Sequence, residues 1–230
     1  PVIILFPTII VGHNIKERKK YTGNNITCPP HHQGEAMKNL DLRKLPTKLI
    51  NLDSQPDRLR MVASRLGELG ITFDRFSAFP HQCGIVGCGQ SHLEVLSNIK
   101  PKTLVFEDDV VPTEWFQPIV EVPEEADALY LGNSIWGYHE SLWPVGSVPQ
   151  VKVRPYSANY LRIFNMCSAH AIVYLKQEFI DAVIKMTKKC LKEDIPWDLG
   201  LAKLHSDFTI LVPKNPMLSG RIERTYASKV

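Results

Sequence analysis

The chain reads as an α/β protein with a mainly parallel central sheet, on two observations. From Lys48 onward, short apolar runs alternate with longer stretches whose apolar residues recur every three or four positions. That alternation of strand and helix signals is the pattern of βαβ units. In addition, two of the strand-like runs, INLD (50–53) and VFEDD (105–109), end abruptly in polar residues. Ligands of open α/β sheets bind just outside the carboxyl ends of the strands, so both runs stop where a site belongs.

The elements follow in order. PVIILFPTIIVG (1–12) is apolar but short and interrupted by proline; a spanning helix needs about 20 residues, so an edge or buried strand is expected. Residues 13–46 are polar, basic and rich in helix breakers, including the KERKK run at 16–20 and the sequon Asn25-Ile26-Thr27. Residues 1–46 are therefore assigned as an N-terminal strand and extended arm, and 47–230 as the main α/β domain. TKLINLD (47–53) is a buried strand. PDRLRMVASRLGELG places Leu59, Val62, Leu66 and Leu69 on one helical face, with Pro56 in the first turn and Gly70 as the stop. ITFDRFSAF (71–79) alternates as a strand, and GQSHLEVLSNIK (89–100) forms a helix that ends before Pro101. TLVFEDDV (103–110) and ADALYLG (126–132) are strands. Residues 133–160, rich in Gly, Pro, Trp and Tyr, read as a long loop region. SAHAIVYL (168–175) returns to strand, QEFIDAVIKMTKKCL to helix, IPWDLGLAKLH starts a further helix near Trp197, and DFTILVP (207–213) is a last strand.

Composition bounds the function. At 230 residues with 44% hydrophobic and 22% charged residues, the chain can build its own core without disulfides. Its five cysteines are scattered, odd in number and contain no CxxC, which suits a reducing compartment and a cytoplasmic protein, membrane-associated or not. Net charge +3 fits anionic small substrates such as nucleotides and is too small to indicate nucleic acid. The zinc-type residues Cys28, His31, His32, His81, Cys83 and Cys88 match no structural zinc spacing.

The acids Glu107, Asp108 and Asp109 repel one another unless something neutralises them. A hard divalent cation, Mn²⁺ or Mg²⁺, favours carboxylate oxygens and would do so. Strand alternation sends Glu107 and Asp109 to one face and Asp108 to the other, if the strand stays regular. A solvated strand end with the acids capping a turn is the plain alternative.

Three blocks in order, INLDSQPDRLRMVASRLGELGITFDRFSA, GIVGCGQSH and TLVFEDDV, resemble those of glycosyltransferase family 25, which contains lipooligosaccharide and collagen galactosyltransferases. The resemblance spans roughly Lys48 to Pro213. Where that family often has an acid ahead of the Gly-Cys pair, this chain has Ile85 and Val86. The resemblance implies a GT-A-type fold, a UDP-sugar donor (commonly UDP-galactose), transfer to an acceptor hydroxyl with inversion, and help from a divalent metal. The acceptor could be a saccharide, a protein or a modified DNA base, and a catalytically silent nucleotide-sugar or glycan-binding module of the same fold is the alternative. By resemblance, Asn51 and Asp53 would hold the uracil or ribose, Arg58 the pyrophosphate or a neighbouring acid, Ser91 and His92 a phosphate or sugar at the opening of the second helix, and Asp108 the nucleotide. Glu107 and Asp109 would bind the metal, with His205 as a further ligand. Asp198 would be the acceptor-side base or a sugar contact, following a tryptophan, Trp197, able to stack on a sugar.

Overall fold

The expected strand–helix alternation builds one eight-stranded sheet with helices on it. The computed structural model describes residues 36–139 and 147–220. The sheet has β2 (Thr47–Asn51), β3 (Asp74–Ser77), β4 (Thr103–Glu107), β7 (Ala128–Tyr130), β10 (Lys152–Pro155), β11 (Tyr160–Asn165), β12 (Ala171–Tyr174) and β13 (Ile210–Pro213), in the order β10-β11-β13-β7-β12-β4-β2-β3. Six of the eight run in one direction, while β11 and β12 run against them. The mainly parallel expectation thus holds for strand direction, yet four of the seven pairings are antiparallel. Parallel neighbours need a long crossover, usually a helix. Among the described residues no helix lies between β7 and β12, and β12 enters between β7 and β4 reversed.

Period-two alternation divides each central strand between two cores. Leu49, Leu104 and Phe106 pack with Val62 and Leu66 of α1 (Pro56–Glu68). Ile50 and Val105 pack on the opposite face, against α2 (Gly84–Ser97), α3 (Gln177–Lys192) and α4 (Trp197–Leu204). Strands buried on both faces must be apolar throughout, which is why INLD and TLVFE read as unbroken runs.

Residues 37–46, expected in the arm, belong to the fold. β1 (Met37–Asp41) pairs antiparallel with β6 (Ile119–Pro123), and a 3-10 turn follows at Leu42–Lys44. Leu40 and Leu42 are buried with Val120 and Val122 in the α1-side core. β5 (Val110–Pro112) pairs with β14 (Leu218–Gly220), and β8 (Gly137–Tyr138) with β9 (Ser147–Val148). No helix among the described residues is long and apolar enough to cross a membrane. The KERKK run, the sequon, Cys28, His31 and His32 lie outside the described residues.

Candidate active site

β2 and β4 are parallel neighbours, so their carboxyl ends lie side by side. Asn51 ends β2 and is buried; its amide donates to Asp108 Oδ2 at 2.7 Å and to the Gln55 carbonyl at 3.2 Å. Arg58, in the first turns of α1, forms an ion pair with Asp108 Oδ1 at 2.6 Å. Asp108 is thus held from two sides by residues of the INLD block. Asp53 pairs with Arg75 of β3 and its side chain is largely exposed, open to a ligand in a way Asn51 is not.

The three acids part company because β4 stops at Glu107. Asp108 and Asp109 form a turn before β5, so regular alternation does not extend through them. Glu107 turns to the α2 face, where its carboxylate meets His92 Nε2 at 2.9 Å. Burial pushes the Glu107 acid up, but the hydrogen bond and charge of His92 outweigh it and leave it below the usual carboxylate value. Asp108 is raised, chiefly by burial, against the Asn51 hydrogen bond and the Arg58 charge. Asp109 is pushed up to about 7 by burial and then by the neighbouring charge of Glu107. Its Oδ1 is sealed from solvent with no hydrogen-bond partner among the described residues. Among the described residues, Asp109 is the one of the three acids without an ion-paired or hydrogen-bonded side-chain partner.

Ser91 and His92 do not open a helix. α2 begins at Gly84, well upstream of the expected Gly89, which puts both residues inside it, fully buried. Ser91 Oγ donates to the Gly87 carbonyl at 2.7 Å and accepts from the Phe79 amide at 2.9 Å, leaving no free N-terminal turn there for a phosphate. Gly87 and Gly89 serve close packing. A Cβ on Gly87 would lie 2.6 Å from the Phe79 carbonyl oxygen, and one on Gly89 3.3 Å from Trp197 Cβ.

Trp197 is buried rather than open to a sugar. Its ring stacks on His92 with centroids 4.1 Å apart, and its indole N–H donates to Cys88 Sγ at 3.3 Å. Asp198 follows in the first turn of α4, with Oδ1 accepting from the Leu199 amide at 3.0 Å. Burial raises its acid, and it lies within electrostatic range of Glu107 and His92. His205 is no ligand to the acids. It is buried against Tyr130, whose hydroxyl lies 2.9 Å from Nε2, and burial lowers its basicity to about 3.

Two participants escaped the sequence reading. Arg75 donates Nε to Asn51 Oδ1 at 3.0 Å and a terminal nitrogen to the Asn51 carbonyl at 3.2 Å, clamping the end of β2. An arginine in a short alternating strand carries no local sign of this. His170 precedes β12, bonds Ser168 Oγ through Nδ1 at 2.7 Å, and packs on Gly132, where a Cβ would collide with Nε2 and lie 2.6 Å from the Leu218 carbonyl oxygen. A Cβ on Gly220 would touch both Asp109 Oδ2 and the His170 ring at 3.7 Å, so the two groups converge there. Two clefts in the described region lie elsewhere. One, of about 270 Å³, is lined by Tyr138, His139, Gln150 and Lys152; the other, of about 340 Å³, lies between the start of α2 and the end of α3. Neither is lined by the acids, whose chemistry outweighs cleft size as a guide to the site.

No family model and no curated protein matches the chain. Among solved structures, it is similar to the CTP:phosphocholine cytidylyltransferase of Streptococcus pneumoniae (LicC) at 8% identity and a TM-score of 0.36, covering 76% of this chain and 92% of that one. A likeness at that level supports no argument about activity, and the site's own geometry has to do so.

Proposed function

We propose that the protein is a metal-assisted glycosyltransferase that moves a sugar from a nucleotide-sugar donor, with UDP-galactose as the first candidate, to an acceptor hydroxyl with inversion. One observation supports this above the others: the three sequence blocks converge at the ends of β2 and β4, INLD meeting EDD through Asn51 and Arg58, and GCGQSH meeting it through His92. The residues fit a hard cation at Asp109, whose buried carboxylate oxygen has no partner among the described residues and whose acid is raised by burial and then by its anionic neighbour. Glu107 fits less well than the sequence suggests, because its carboxylate is engaged by His92.

A divalent cation there would supply Lewis acidity to the departing diphosphate. The protein's own residues do the rest. Asp53, exposed and fixed by Arg75, accepts from ribose hydroxyls. Arg58 and Asn51 hold the Asp108 carboxylate beside the donor. Asp198 is the base: as the bond from the anomeric carbon to the diphosphate breaks and the bond to the acceptor oxygen forms, the acceptor's proton passes to its carboxylate. Donor turnover with and without Mn²⁺ tests the reading. Folded Asp109→Asn should lose metal-dependent turnover by about 100-fold or more; turnover equal to the parent's would sink the assignment.

A second reading has one observation in its favour. With Arg58 on Asp108 and His92 on Glu107, a single carboxylate is left for the metal. That suits a nucleotide-sugar or glycan-binding module without turnover. Donor that binds but is never hydrolysed or transferred would select it.

A further inference from the structure

The geometry points to a second metal site, for a borderline transition metal such as Zn²⁺, formed by Cys88 and His92 of α2 with Glu107 at the end of β4. The Cys88 Sγ, His92 Nε2 and Glu107 Oε1 atoms all lie within 4.8 Å of one another. His92 Nε2 is 2.9 Å from Glu107 Oε1, and Cys88 Sγ is 3.8 Å from the same oxygen. Cys88 and His92 are four residues apart on a helix, the spacing that stacks two side chains on one face and lets both ligate one ion. The third donor comes from the strand the helix packs against, so all three sit on regular elements.

The donor set decides the class of metal. Thiolate, imidazole and one carboxylate suit zinc and its neighbours, whereas magnesium and manganese prefer oxygen alone. The site is thus chemically separate from the unpartnered carboxylate of Asp109. Three protein ligands leave a fourth position open, the arrangement of a zinc centre that binds water or a small ligand. Around the site, the Trp197 indole N–H points at Cys88 Sγ, as outer hydrogen bonds to metal-bound thiolates do, and the Trp197 ring fixes the imidazole plane by stacking. Burial and the Glu107 charge oppose a free Cys88 thiolate. A divalent ion reverses that balance: the thiol proton leaves for solvent, and the sulfur and carboxylate together neutralise the ion. Glu107 keeps 28% of its side chain accessible while His92 is buried, so an ion would enter from the Glu107 side. The site does not depend on the glycosyltransferase reading, since a silent module would hold the same three residues.

Cobalt(II) is the probe. The reduced full chain, stripped of metal with a chelator and desalted, is titrated with Co²⁺ while absorption is followed. A thiolate-to-cobalt charge-transfer band should grow to saturation at an equimolar ratio, with a proton released per ion, and should be bleached by equimolar Zn²⁺. Cys88→Ser should remove the band, with the fold checked by circular dichroism. Asp109→Asn should keep it. The proposal is overturned by a parent with no such band, by a band that survives Cys88→Ser, which would place it on another cysteine, or by one that vanishes in Asp109→Asn. Donor turnover is a separate measurement, so failure there leaves this result standing.

Discussion

Adjacent acids need not be equivalent, and Asp108 and Asp109 differ by what they touch. Removing the Asp108 charge strands Arg58 and leaves the buried Asn51 amide short of an acceptor. Asp108→Ala should lower stability by about 1–3 kcal/mol. Asp109→Asn removes a buried carboxylate that has no side-chain partner among the described residues and is repelled by Glu107, so it should hold or raise the melting temperature. Thermal unfolding should show a loss for Asp108→Ala and none for Asp109→Asn; a parallel loss would show that Asp109 has a partner in solution. Gly132 makes a third residue-scale case. Its Cα lies so close to His170 and the Leu218 carbonyl that Gly132→Ala should cost about 1–3 kcal/mol by denaturant unfolding. Glu107, Asp108 and Asp109 stood out as candidates in the sequence because charge at the end of an apolar strand is conspicuous, whereas Arg58, inside α1, rested on the family resemblance. Arg75 and His170 did not stand out, since their partners lie across strands or behind a glycine that no local pattern connects to them.

At the scale of elements, α2 and α4 form one polar seam within an apolar layer. His92, Trp197, Cys88 and Glu107 lie in it, and Tyr130–His205 lies under α4. His205 makes the layer sensitive to acid. Its folded value is about 3 against an ordinary 6.5, so between those values the unfolded chain binds a proton that the folded chain does not. Stability is therefore full above about pH 6.5 and is lost progressively as the pH falls towards 3. The lowered basicity of His170 adds to the same trend. Urea midpoints measured through this window should fall less steeply for His205→Gln than for the parent; equal slopes would mean that His205 is hydrated in the folded state. The start of α2 was misread for a related reason. Glycine is a poor helix former, but Gly87 and Gly89 let the 79–81 segment and Trp197 approach the helix, and that packing outweighs propensity.

Across the whole molecule, the sheet is shared between two cores, and the α1-side core includes residues from ahead of β2. Leu42 is fully buried there. Leu42→Ala should therefore cost about 2–5 kcal/mol, comparable with Leu66→Ala in α1. A loss below 1 kcal/mol, on the order of a surface substitution, would return residues 37–46 to the arm. The sequence alone determined the α/β class, the central strands β2 and β4, and the helices α1, α3 and α4. Those features rest on local periodicity and on apolar runs buried on both faces, which a linear chain displays. Only the tertiary structure decided which acid is paired and which is bare, that β11 and β12 run against the sheet, that Trp197 serves His92 and Cys88 rather than a sugar, and that three donor atoms from a helix and a strand share one point. Each of these depends on contacts between residues far apart in the chain, where the energy of burial and pairing overrides local preference.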